Sequence, residues 1–413
     1  MTAHAGRLAT ERLDVLAIAP LPFTSDGVTT FQFGASTFHA ALLPALARRG
    51  HRVRVLAEAP PAEPTSEANR HDLVWDVPNL VVHGFAAEYR SAATPPPRDW
   101  RERARRTLAP RFAAAIAERR PDVVLLGREQ LAWYVPELCR AGGVPCVLGL
   151  HGQPTHGFAD GGYPEDARSE LLAHMASADA RVAVAHHLRA TLARFGLDCA
   201  VVPNAVDEER FRPRPKPEPL LAKLRIPSDA PVVGHVSSLK PGKRPGDLIA
   251  SAARVVRHVP DAIFLIVGDG PHRAALEDDV RARGLERAFR FAGAVDFRAM
   301  PDVLALCDVV VMPSEREGAS LVYLEAHAAE RALVASDIPA AREVVRDGET
   351  GLLFPTGDVD ALAERTLALL RDPDLRRRIA AAGRKAAEAR PFANMVDGWE
   401  SALATTAARA RGA

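Results

Sequence analysis

The stretch CDVVVMPSEREGASLVYLEA, residues 307–326, decides the fold. It opens with a short β-branched run that suits a buried strand. A loop of small and charged residues follows, and then an apolar segment with helical spacing from Leu321. A buried strand, a loop and a helix form one repeat of a parallel α/β sheet. Two carboxylates, Glu317 and Glu325, stand eight positions apart across this loop and helix. The first sits in the turn. The second sits about one turn into a helix that should be closing over a sheet, where an unpaired acid is costly to bury.

Working outward, the same alternation recurs on both sides. RLDVLAIA, HRVRVLAE, PDVVLLG, PCVLGL and ARVAVA read as buried strands in the first half, and PVVGHV, AIFLIVG, CDVVVMP, ALVAS and GLLF in the second. Amphipathic stretches lie between several of them, such as FHAALLPALARRG with Gly50 placed to end the helix. Near-continuous apolar strands with helical crossovers predict parallel sheets covered on both faces. The pattern pauses at residues 207–230, rich in proline and charge, which read as a linker with one short helix. Two α/β domains are therefore expected, 1–206 and 231–391, followed by a helix over 392–413 that carries Trp399 and packs back on the first domain.

The bulk properties fit this reading and exclude others. At 413 residues the chain is long enough for about two or three domains. A formal net charge of +1 gives no reason to expect a nucleic-acid partner. The four cysteines are scattered, with no C-x-x-C pair, as expected for reduced thiols in a cytoplasmic protein. No apolar run approaches the roughly 18 residues of a membrane span. Of the 53 basic residues only five are lysines, and Lys240 and Lys243 fall in one turn-like segment.

In such sheets the ligand lies beyond the carboxyl ends of the strands. Four loops there carry unusual residues: SSLKPGKRPGD after PVVGHV, GDGP after AIFLIV, PSEREGAS after DVVVM, and DIPAARE after ALVAS. Glycines let backbone N–H groups approach a ligand, and helix N-termini favour anions. Lys240 and Lys243 make one mouth cationic, as a pyrophosphate would require. Ser320 suits the N-cap of a helix from about Leu321 to Ala329. Glu317 would then reach sugar hydroxyls, and Glu325 a vicinal diol through its two acceptor oxygens. From spacing alone, a loop acid and a helix-surface acid remain equally open.

These residues carry a family resemblance. EGASLVYLEA resembles the E-x7-E motif of retaining GT-B glycosyltransferases, notably glycosyltransferase family 4. RRGHRVRVL, His151–Gly152, VVPNAVDEERF, SSLKPGKRPGDLI, VGDGP, FAGAV, DVVVMPSEREG and DGETGLLF follow in the family's order, from about residue 12 to 355. The resemblance implies two Rossmann-like domains with parallel sheets facing across a cleft. A nucleotide-diphosphate sugar, most often a UDP-sugar, would be held mainly by the second domain and an acceptor by the first. It implies catalytic roles for His151, Glu317 and Lys243. The donor would be bound by Gly34, Ser238, Lys240, Lys243, Arg244, Gly268, Gly270, Glu317, Gly318, Ala319, Ser320, Leu321 and Glu325. The acceptor would meet Thr24, Ser25, Asp26, His151 and Gln153. Transfer would retain the anomeric configuration by same-face attack, with the leaving diphosphate taking the acceptor proton. No metal or cofactor is implied.

The departures are informative too. Ser237-Ser238-Leu239 replaces a common Gly-Arg-Leu, so the usual pyrophosphate arginine is missing, and Lys240 or Arg244 would substitute. Pro339-Ala340 replaces a Gly-Gly. The first loop, PLPFTSDGVTTFQFGAST, is long with single glycines, which leaves the acceptor open, and the lack of a convincing membrane helix leans toward a small soluble one. Asp358–Asp360 and Asp372–Asp374 match D-x-D but suit N-caps better than metal ligands. SSLKPGKR misses a P-loop, GDGPHR lacks the third glycine of a dinucleotide fingerprint, and His151 and His156 lack carboxylate or cysteine partners at ligand spacing. The basic helix RERARRTLAPRFAAAIAERR reads as a solvated face, with docking on a membrane surface as the alternative. Transfer to a lipid-linked or polysaccharide acceptor, and a sugar-nucleotide epimerase or binding protein without transfer, are the competing functions.

Overall fold

The computed structural model describes residues 11–21, 23–25, 28–31, 34–59, 77–86, 98–159 and 161–412. The chain divides into two compact units. The first comprises Met1–Phe23, Ala35–Pro203 and Val396–Ala413, and the second Thr24–Gly34 and Asn204–Met395.

In the first half the strands are β1 (Asp14–Ala19), β2 (Phe23–Ser25), β3 (Val28–Phe31), β4 (Arg52–Ala59), β5 (Leu80–Ala86), β6 (Val123–Leu126), β7 (Cys146–Leu150), β8 (Ala180–Ala183) and β9 (Ala200–Val201). Seven of them form one sheet in the order β5-β4-β1-β6-β7-β8-β9, and β2 and β3 pair separately. Each pairing in the seven-stranded sheet is parallel. β1 and β6 are buried at every position, as their unbroken apolar runs require. The helix Gly34–Arg48 ends in a Schellman turn. His51 N–H reaches the Leu46 carbonyl at 3.3 Å, Gly50 N–H reaches that of Ala47 at 3.0 Å, and Gly50 takes φ 97°. The last helix, Phe392–Gly412, buries Trp399 completely, 5.6 Å from the Phe38 ring. Arg49 ties it down through Asp397 at 2.6 Å and Glu400 at 2.5 Å.

The second unit contains β10 (Val232–Val236), β11 (Ile263–Val267), β12 (Phe289–Gly293), β13 (Val309–Met312), β14 (Ala332–Ser336) and β15 (Leu352–Phe354). Their order is β12-β11-β10-β13-β14-β15, again all parallel. The helix Pro245–His258 shows why the layers close: Leu248, Ile249, Ala252 and Val255 form one buried stripe against the sheet. The segment 207–230 holds one short helix, Glu218–Leu224, and belongs to this unit. Lys216 bonds Asp308 at 2.8 Å and Arg214 bonds Asp302 at 2.7 Å. Asp358 and Asp372 are N-caps, each accepting from a backbone N–H three residues on, at 2.9 Å.

Both sheets run outward in opposite directions from their first strand. The strand order therefore reverses between β1 and β6 in one unit and between β10 and β13 in the other. A crevice outside the carboxyl ends of those strands is where open α/β sheets bind ligands.

Candidate active site

In the second unit the reversal brings together the loops that follow β10 and β13. After β10 the chain makes a tight turn, Pro241–Lys243, and then enters a helix through Arg244 at φ 48° with Pro245 next. Glu315 N–H bonds the Gly242 carbonyl at 3.0 Å, which seats the two loops against each other. Lys243 Nζ then donates to both oxygens of Glu317, at 2.7 and 2.6 Å. Ser314 Oγ donates to Glu317 Oε1 at 2.8 Å. The Glu317 side chain is only 6% exposed and that of Lys243 27%, so the lysine is the more exposed member of the pair.

Two glycines expected to approach a ligand instead close the loops on one another. A Cβ on Gly268 would stand 1.8 Å from the Ser237 carbonyl oxygen, and one on Gly270 would stand 2.6 Å from that of Leu239. Gly268 also takes φ 121°. Leu239 N–H in turn bonds the Asp269 carbonyl at 3.0 Å.

Glu325 lies in the helix Leu321–Ala328, which ends one residue before the expected position. Its side chain is buried, and burial pushes its pKa up to about 7 against the pull of the Arg210 guanidinium. No hydrogen bond or ion pair reaches its carboxylate among the described residues. It is therefore not a helix-surface acid. Ser320 holds the N-cap position, but its hydroxyl makes no capping bond, which corrects the expected cap. Ala319 offers its carbonyl to Asn204 Nδ2 at 3.2 Å, Gly318 is half-buried, and Leu321 is buried as the first helical residue. Ser238 is half-buried and Lys240 exposed. Arg244 is engaged elsewhere: it grips Asp247 at 2.7 and 3.1 Å and lies 3.8 Å from Glu315.

Residues that sequence reasoning passed over support this group. His235, fully buried in β10, bonds the Val311 carbonyl through Nδ1 at 2.9 Å and Ser237 Oγ through Nε2 at 2.7 Å. Burial lowers its pKa to about 4, so the ring is neutral, and its Nδ1–H donation leaves Nε2 to accept from Ser237. Its signal was visible: one polar residue inside a strand otherwise wholly apolar. Tyr323 buries its hydroxyl without a partner among the described residues, and burial, with Glu317 nearby, raises its pKa well above the usual value.

In the first unit, His151 follows β7 directly, with Nε2 inaccessible and unpaired among the described residues. Its ring lies 4.9 Å from that of Phe38 and 5.3 Å from that of His39. Burial holds the His151 pKa well below the usual imidazole value, and His39 adds to this. His39 itself, lowered to about 4 by burial, bonds the Ala35 carbonyl at 2.6 Å. Gln153 opens the helix Gln153–Ala159, and Gly34 opens Gly34–Arg48 with no atom within 4 Å of a Cβ built on it. Thr24 and Ser25 lie in β2. Asp26 and the side chains of Thr24, Ser25 and Gln153 fall outside the described residues. Arg128 and Glu58, ion-paired at 2.6 Å, and the buried Glu129 were not anticipated.

Two Rossmann-like parallel-sheet units with loops of this composition define the GT-B fold. The Anabaena Alr3699/HepE structure with UDP and glucose matches it with a TM-score of 0.75 at 18% identity, covering 95% of this chain and 100% of that one. The chain belongs to the family-4 type of glycosyltransferases: residues 34–210 match the model "Glycosyltransferase Family 4" and residues 218–386 match "Glycosyl transferases group 1". The 2-deoxystreptamine N-acetyl-D-glucosaminyltransferase of Streptomyces fradiae is 31% identical over 282 residues, 64% of this chain and 66% of that protein. The GDP-mannose-dependent alpha-(1-6)-phosphatidylinositol monomannoside mannosyltransferase of Mycolicibacterium smegmatis is 33% identical over 288 residues, 67% of this chain and 74% of its own length. The chain thus spans just under two-thirds of the first relative's length.

Proposed function

We propose that the protein is a retaining glycosyltransferase that moves a sugar from a nucleotide-diphosphate sugar, a UDP-sugar first, to a hydroxyl of a small acceptor. The observation that carries this reading is the Lys243–Glu317 pair at the strand reversal of the second unit. In it, Lys243 directs its ammonium to the diphosphate and stabilises the charge that grows there as the glycosidic bond breaks. Glu317, held by Ser314, addresses the sugar hydroxyls. Glu325 takes the ribose diol as a carboxylate, and the N–H groups opening Leu321–Ala328 face phosphate. Lys240 or Arg244 supplies the second cation in place of the missing arginine. In the first unit, His151 serves the acceptor.

The relatives' names support a small acceptor in one case, 2-deoxystreptamine, and a phosphatidylinositol mannoside in the other. Among the described residues no helix is long and apolar enough to cross a membrane. The test is a thermal-shift panel of UDP, GDP, ADP and their common sugars, each hit followed for slow sugar release with Glu317→Ala as control. Stabilisation by one nucleotide, with release lost in the variant, supports the reading. Stabilisation by GDP-mannose alone moves the donor to GDP. No response to any nucleotide defeats the reading.

A further inference from the structure

Glu129 begins the turn that follows β6, at the strand reversal of the first unit. It is 1% exposed and makes no ion pair among the described residues. The neighbouring Arg128 is committed to Glu58. A buried, unpaired carboxylate persists only where hydrogen bonds satisfy it. Glu129 Oε1 accepts the N–H of Gly152. Gly152 adopts φ 98°, a left-handed conformation that glycine tolerates without strain. The turn after β7 is therefore held at the His151–Gly152 peptide, while the His151 ring packs against Phe38 and His39. Gly149 leaves the room: a Cβ there would stand 3.3 Å from His151 Nε2 and 3.4 Å from the Trp399 ring.

We infer that Glu129 is a positioning residue, whose buried carboxylate anchors the His151–Gly152 turn and so fixes the His151 ring where sugar transfer occurs. Its kinetic consequence rests on the function proposed above; its structural consequence does not. Glutamine keeps a carbonyl oxygen that can accept the Gly152 N–H, so it supports the turn, and alanine does not.

The experiment compares the full-length wild type with Glu129→Ala and Glu129→Gln. Nucleotide affinity is read with UDP and GDP. Sugar release is read with UDP-glucose, UDP-N-acetylglucosamine and GDP-mannose. Hydrogen exchange is read at the Gly152 amide. The expected result for Glu129→Ala is a kcat for sugar release at least tenfold lower, with KM within threefold, nucleotide Kd within twofold and Gly152 exchange at least tenfold faster. Glu129→Gln returns kcat to within threefold of wild type. An alanine variant with unchanged kcat overturns the inference, as does one that loses nucleotide affinity and kcat together. If no nucleotide binds the wild type, the proposed function fails, and exchange at Gly152 still decides: unchanged protection in Glu129→Ala removes the anchor.

Discussion

The carboxyl ends of the two sheets share a strand order and differ in how they hold their polar groups. At the second sheet the central acid is paired: Glu317 receives Lys243 twice and Ser314 once, and the lysine is the more exposed member. At the first sheet His151 and His39 are desolvated and neutral, and Glu129 accepts the Gly152 N–H. A paired, partly exposed cation suits a ligand that brings negative charge and gains more as a bond breaks. Neutral rings over an apolar floor of Phe38 and Trp399 suit hydroxyls, which carry none. One topology thus presents two chemistries, and the difference lies in the residues that end the strands.

The sharpest way to break this contrast is to remove the central acid. Glu317→Ala leaves Lys243 and Ser314 without their shared acceptor. Turnover is expected to fall about a hundred- to a thousandfold, with nucleotide affinity little changed. Steady-state kinetics with the donor found by the panel checks it, and unchanged turnover removes Glu317 from the reaction. Lys243→Ala comes next. Losing a cation aimed at the leaving diphosphate costs about 2–4 kcal/mol in kcat/KM and weakens binding of the diphosphate product. A change below about 0.5 kcal/mol would mean that Lys243 serves only to hold Glu317.

Most of the fold was legible in the sequence because buried parallel strands are apolar without interruption. Runs such as DVLAIA and IFLIV have no other stable home. The strands that escaped notice lack that mark. β5, LVVHGFA, alternates and leaves Val81 48% exposed at the sheet edge. β9 is two residues long, and β12, FRFAG, interrupts its apolar residues with Arg290. The second unit's candidate residues could be named from the sequence because each lies in a recognisable motif, although Lys243 and Glu317 stand 74 residues apart. In the first unit His151 was named from its motif, but Glu129 and His39 were not: they come from separate elements, and only the strand order makes them its neighbours. Ser320 shows the opposite error. Its position and type suited a cap, yet its hydroxyl makes no such bond, and local propensity does not settle what a loop beside a site does.

Glu325 tests whether the second site carries a strained acid alongside its paired one. Its pKa is raised from 4.5 to about 7, so the folded chain holds this proton more tightly than the unfolded chain does. Stability is therefore lost as pH rises from about 4.5 to 7. Glu325→Gln carries no such charge. Its stability advantage over the wild type, read as a Tm difference, should grow between pH 5 and 8, reaching about 1–3 kcal/mol in unfolding free energy. The raised pKa of Glu129 contributes equally to both chains and cancels in the difference. The same variant should bind nucleotide more weakly if the carboxylate takes the ribose. A Tm difference that does not change with pH would mean that Glu325 is already ionised and solvated, and equal nucleotide affinity would make it structural.

The smallest effect separates stability from site chemistry within the same unit. Asp358 is exposed and accepts the Ala361 N–H at 2.9 Å, capping the helix Val359–Arg371, whose buried face includes Leu362, Leu369 and Leu370. Asp358→Ala exposes one unsatisfied N–H at a helix end and costs about 1 kcal/mol. In a unit of this size that lowers Tm by about 2–4 °C. Turnover below the melting transition should stay within twofold, because the cap touches neither the Lys243–Glu317 pair nor Glu325. A matched loss of Tm with full turnover shows that the larger losses at Glu317 and Lys243 arise at the site itself. If instead turnover falls with Asp358→Ala, for example through Gly357, whose Cβ would lie 3.2 Å from Arg244, then the helix cap and the loop after β10 move together. The paired end of the second sheet would then be a single cooperative element, and the contrast with the first sheet would be one of rigidity as much as of charge.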